Sequence, residues 1–104
     1  MFKISFYVPE ESCETVKQAL FDAGAGHIGN YDCCAWQTLG QGQFRPLAGA
    51  NPHLGKVNKT ETVQEYLVEM VCEKKQLKKA ISALKAAHPY ETPAYAVWEI
   101  NSDY

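Results

Sequence analysis

No basic stretch, long apolar run or small-residue cleavage site follows Met1, where an alternating pattern begins at once. A secretory leader or membrane span is therefore not expected, and the protein is read as cytoplasmic with no membrane partner. Excess charge of either sign is also missing, the formal net charge being -2. Nucleic-acid binding draws on several lysine or arginine contacts to phosphate, so no nucleic-acid partner is expected. The four cysteines, Cys13, Cys33, Cys34 and Cys72, contain no CxxC pair, and no two histidines stand in HxxxH spacing. That removes the zinc-ribbon, thioredoxin-type and zincin readings and leaves reduced thiols. No GxxxxGK[ST] loop occurs, and the glycine-rich GAGHIG follows a helical pattern instead of opening one, against a Walker or dinucleotide site. Glycine itself is absent from both ends of the chain, all seven residues lying between Gly24 and Gly55.

What is present is ordinary globular material. With 46% hydrophobic and 21% charged residues in 104 positions, the chain is far from the disordered regime. A chain of this size buries roughly two-thirds of the surface its unfolded form exposes, enough for one modest core. No repeat, linker or low-complexity segment marks a second unit, so residues 1–104 are read as a single domain.

Phe2, Ile4, Phe6 and Val8 alternate with Lys3, Ser5 and Tyr7, the period of a half-buried strand that Pro9 should end. Glu10 and Glu11 place negative charge where a helix N-terminus favours it, and Val16, Ala19, Leu20 and Ala23 recur at helical spacing. A helix is predicted over about residues 10–23, closed by Gly24. Residues 32–39 read as a second strand, Gly40-Gln41-Gly42 as a turn, 43–46 as a short returning arm and 47–59 as an exposed loop. A third strand spans 60–72. A second helix spans 74–87, with Leu77, Ala80, Ile81 and Leu84 on one stripe and its lysines on a solvated face. After the HPYETP turn, a last strand covers 94–100. This order specifies an α+β, ferredoxin-like βαββαβ fold: an antiparallel sheet with two helices on one face and an extra hairpin/loop insertion.

The helix-covered face is read as taking Phe2, Ile4, Phe6, Trp36, Val68 and Met70. The opposite face would still carry Tyr7, Ala35, Leu67, Val71, Tyr95 and Val97. That is more apolar surface than monomers usually expose, so this face is expected to pack on other copies of the chain unless the long loop folds back over it.

Two motifs suggest kinship. The run from Gly24 to Cys34 (GAGHIGNYDCC), with GQGQFRP from Gly40 and GANPHLG from Gly49, resembles the GAG-x-IG-x-Y-x-x-C, G-x-G-x-F-x-P and G-x-x-P-x-x-G pattern of the insert domain of Nif-three-like proteins, the YqfO family. The segment from His88 to Tyr95 (HPYETPAY) is similar to the HPYEEPAY of the same domain, with Thr92 standing where a second carboxylate is often found. The resemblance covers essentially the whole chain. It implies a CutA/PII-like fold, a homotrimer packed through its sheets, and loops able to hold small effectors between subunits. Full-length members bind two metal ions through flanking segments absent from this sequence. Their hydrolase-like chemistry is therefore not carried over, and the chain is read as a stand-alone insert domain.

Three function classes follow from the side chains. The first is a binding protein: Gly26, His27, Tyr31, Arg45, His53 and Tyr90 are the candidates for a small ligand held at a subunit interface, where backbone N–H groups of glycine-rich loops and one arginine can meet an anion. A divalent metal is the possible cofactor, with His88, Glu91 and His27 as ligands. The plain alternative for His88 is a cap on the C-terminal end of the second helix, where partial positive charge is favoured. The second class is a structural assembly module with no ligand. The third, an enzyme, rests on Cys33 or Cys34 near His27 as nucleophile and base, against which adjacent cysteines are more often small packing residues. Binding is favoured over catalysis, at the place where the long loop meets the HPYE turn.

Overall fold

The computed structural model describes residues 1–101. Strand β1 (Phe2–Pro9) leads through one 3-10 turn (Glu10–Ser12) into helix α1 (Cys13–Asp22). Then come β2 (Trp36–Phe44), β3 (Glu61–Cys72), helix α2 (Lys74–Ala87) and β4 (Tyr95–Glu99). The four strands form one sheet in the order β2-β3-β1-β4, antiparallel throughout. Together with the two helices this is the α+β, ferredoxin-like arrangement the alternation predicts.

The core follows directly from the two periodicities. Ile4, Phe6 and Val8 of β1 and Val68, Met70 and Cys72 of β3 point to one face, where Val16 and Leu20 of α1 and Ala80 and Leu84 of α2 cover them. All are buried. Ala80, the smallest of these, is fully buried on the core side of α2. Helix α1 ends at Ala23, and Gly24 follows at φ 100°, donating its N–H to Phe21 O at 3.0 Å. A Cβ on Gly24 would lie 2.6 Å from Gln76 Cγ, so both conformation and space demand glycine here.

Three predicted details are corrected. The first helix is divided, its opening residues taking the tighter 3-10 turn before α1 proper. Residues 40–42 make no turn, and no short returning arm follows: Gly40, Gln41 and Gly42 run extended inside β2 and pair with Glu65, Gln64 and Val63 of β3. The twelve-residue β3 offers continuous ladder partners along this whole length, which a turn would forfeit. The strand starts at Trp36 instead of Asp32, and its register on β3 turns its faces the other way from that expected. Trp36 pairs with Glu69 on the helix-free side, while Gln37 pairs with Val68 and faces the helices. There Gln37 accepts a hydrogen bond from Lys17 Nζ of α1 at 2.8 Å. Val97 and Tyr95 turn out on the helix side, paired with Ile4 and Phe6, and Lys85 of α2 lies over the Tyr95 ring at 5.7 Å. A strand has period two, so a shift of one residue exchanges the faces of everything on it.

The helix-free face thus carries Trp36, Leu67, Val71, Ala96, Trp98 and, toward one end, Tyr7. Trp36 is 62% exposed and Trp98 43%. The long loop 45–60 folds over the Tyr7 end only.

Candidate functional site

The end of the sheet under that loop is organised by His88. This residue closes α2 with its backbone N–H on Leu84 O at 2.9 Å, and its ring is buried. Nε2 meets the Tyr7 carbonyl oxygen at 2.7 Å, and Nδ1 meets the Tyr90 N–H at 3.1 Å. A carbonyl can only accept and a backbone N–H can only donate, so the ring is neutral with its proton on Nε2. Burial holds the imidazole below its ordinary range, only partly offset by the Tyr7 carbonyl. The Tyr7 N–H in turn donates to Ala94 O at 3.1 Å, so the turn 88–94 is clipped to β1 on both sides.

Loop 45–60 then docks on this turn. It is drawn together by Asn58 N–H on Pro46 O at 2.6 Å and is joined to the turn by Asn51 N–H on Glu91 Oε1 at 3.1 Å. Tyr90 stands between the two, with ring centroids 5.9 Å from Phe44, 6.2 Å from His53 and 5.0 Å from His88, all tilted.

Between loop, turn and sheet lies a cavity of about 240 Å³ with predominantly apolar walls. Its floor is Tyr7, Phe44 and Glu65 from three neighbouring strands, and its sides are His53 and Leu54 from the loop and Tyr90 and Glu91 from the turn. Glu65 is unusual for such a place. Burial pushes its carboxyl above the ordinary carboxylate range, and the nearby Tyr90 hydroxyl offsets this in part. Tyr90 is pushed up to about 12, first by burial and then by Glu65 and Glu11. The two groups are near enough to shift one another's ionisation. The Tyr90 hydroxyl is itself buried beside that carboxylate. Gly42 makes the room for Glu65: a Cβ there would collide with the carboxylate oxygen.

Comparison with known proteins follows from this geometry. No family model matches the chain. Proteins named GTP cyclohydrolase 1 type 2 homolog are 45% identical over 94 residues in Mycobacterium tuberculosis and over 98 residues in Bacillus subtilis. These alignments take in 90% and 94% of this chain but 25% and 26% of the relatives. A Bacillus cereus protein related to NIF3 superposes with a TM-score of 0.83 at 38% identity, over 97% of this chain and 26% of that one. The chain is thus similar to one segment of Nif-three-like proteins. The periplasmic divalent cation tolerance protein CutA of Archaeoglobus fulgidus superposes with a TM-score of 0.70 over 100% of this chain and 88% of its own; at 18% identity the likeness is one of fold. The chain spans about a quarter of the length of the curated relatives it matches.

Within the chain the residues singled out from the sequence fall into two groups. His53, Tyr90 and Glu91 come together at the cavity, with His88 directly behind Tyr90. Gly26, His27 and Tyr31 do not join them. Gly26 donates its N–H to Val71 O at 2.8 Å, at the other end of β3, about 20 Å from Glu65 at ~3.3 Å per residue. Arg45 is exposed and does not line the cavity.

The set His88, Glu91 and His27 is therefore not brought together within one chain. Both ring nitrogens of His88 are engaged, and Glu91 Oε1 already accepts from Asn51. Among the described residues no group of three or more histidine, cysteine or acidic side chains is gathered for a cation. The helix-capping reading of His88 holds for its backbone but not for its charge, because the ring sits neutral against β1.

Cys33 and Cys34 precede β2 instead of alternating along it, and Cys33 takes φ 54°. The Cys33 thiol is pushed up by local desolvation and by Asp32, the wrong direction for a nucleophile. Glu65 and Gly42 are the site residues that pattern reading misses. Their only signal is two glycines at alternate positions on the sheet face shared with a glutamate, and it becomes visible once 40–42 is known to be strand.

Proposed function

We propose that this chain is a single Nif-three-like insert domain, cytoplasmic and homotrimeric, that binds a small molecule in the cavity between loop 45–60, the 88–94 turn and the sheet. The observation that carries the reading is the cavity itself. It is largely apolar, lined by the four aromatic rings of Tyr7, Phe44, His53 and Tyr90, and holds the half-buried Glu65 carboxylate beside the Tyr90 phenol. Small-ligand sites combine apolar walls with a few convergent polar groups in this way.

Self-assembly is supported by the uncovered part of the same sheet face, which carries Trp36, Leu67, Val71 and Trp98 away from the cavity, Leu67 alone pairing with Tyr7 of its floor. A trimer packed through its sheets would bring neighbouring copies to the cavity rim. Binding is favoured over catalysis because His88 has no free nitrogen to act as a base and Tyr90, at about 12, is a poor acid near neutrality.

A fragment screen followed by amide NMR tests the reading. Shifts should cluster on Phe44, His53, Glu65 and Tyr90. Fragments that bind only elsewhere, or not at all, would count against it.

A further inference from the structure

We infer that the cavity selects a small planar nitrogen heterocycle presenting adjacent N–H donors, neutral or cationic, in preference to a phosphate or other anion. The inference rests on the ligand-site reading above and adds the chemistry of the ligand. The walls supply the rings of Phe44, Tyr90 and His53, which pack on one another and present apolar surface to a flat aromatic body.

The polar inventory is one-sided. Glu65 and Glu91 line the cavity, and no lysine or arginine does so among the described residues. Arg45, the chain's one arginine, lies exposed outside it. An anion entering here would meet carboxylates with no compensating cation. Ionised Glu65 is acceptor-only with two oxygens side by side, the geometry that receives two parallel N–H bonds. Its burial leaves the carboxylate short of water, a deficit that donors on the ligand would make good. The Tyr90 hydroxyl, buried beside Glu65, helps set the position of that carboxylate at the cavity floor. The volume of about 240 Å³ suits one or two fused rings and is below the range of about 300–1,000 Å³ typical of larger ligands.

The test titrates the full chain with three probes by calorimetry and amide NMR: 2-aminobenzimidazole, a flat cyclic guanidine; benzimidazole-2-carboxylate, an anion on the same ring system; and inorganic phosphate. The first should bind with shifts at Phe44, Glu65 and Tyr90, and about tenfold or more tighter than the carboxylate, the discrimination expected of hydrogen bonds to a charged group. Glu65→Gln should weaken it by a similar factor, and Tyr90→Phe should weaken it without changing the order of the probes. Equal or tighter binding of the carboxylate or phosphate at the same amides would overturn the ligand class and leave the site standing. No binding of any probe at those amides would overturn both. Should Glu65→Gln fail to fold, the comparison between the two benzimidazoles on the unaltered chain decides alone.

Discussion

At the scale of single residues, His88 joins structure to pH. Its two nitrogens tie α2, β1 and the 88–94 turn together only when the ring is neutral. The folded-state value is lowered by burial, so between that value and the unfolded one near ~6.5 the unfolded chain binds the extra proton. The stabilisation is complete above the unfolded value and is lost as pH falls toward and through the folded one. Glu65 works in the opposite sense, its raised carboxyl favouring the folded state as the medium becomes acidic. Denaturant midpoints for the wild type and His88→Gln should therefore be compared across pH. The variant is expected to be about 1–3 kcal/mol less stable near pH 7, and the gap should narrow below pH ~6. A gap that is independent of pH would show that the ring's protonation state does not matter.

At the scale of elements, the helices are held by the sheet more than by themselves. Neither has a side-chain cap at its N-terminus, and α2 opens with two lysines at the positive end of its own dipole. Leu84 on α2 is fully buried against β1 and β3, so Leu84→Ala should cost about 2–5 kcal/mol in urea unfolding. Substitution of Lys78, exposed on the same helix, should change stability by under ~0.5 kcal/mol. A result near zero for Leu84 would place the core elsewhere.

The same elements show what was readable in the pattern. α2 and β3 are predicted nearly to the residue, because each buries a stripe or alternation that runs its whole length. β2 is not. Its Gly-Gln-Gly reads locally as a turn, and only pairing with the long β3 makes it extended.

At the scale of the whole molecule, one end of the helix-free face is roofed by the long loop and the other is open. Trp98 projects from β4 on the open part, away from the helices. Trp98→Glu should leave the fold intact by circular dichroism and disrupt assembly. Sedimentation should then move from a multiple of 11.6 kDa toward that mass. A wild type that already sediments as a monomer at micromolar concentration would remove the trimer reading.

The chain's own residues determine the order of elements, the buried halves of β1, β3, α1 and α2, and the meeting of the long loop 45–60 with the HPYE turn. These rest on local periodicity, turn chemistry and motif spacing, which need no partner to be expressed. Tertiary structure decides the rest. Cross-strand register sets which side of the sheet Trp36 and Val97 take, since one residue of slip exchanges the faces. Distance along β3 separates His27 from His88, whose Nε2 is taken by a long-range hydrogen bond to Tyr7 and whose Nδ1 is taken by Tyr90 in the same turn. The space left by Gly42 for Glu65 exists only once two strands lie side by side. It places a carboxylate in the floor of an apolar cavity, a contact between residues far apart in sequence that no local pattern encodes.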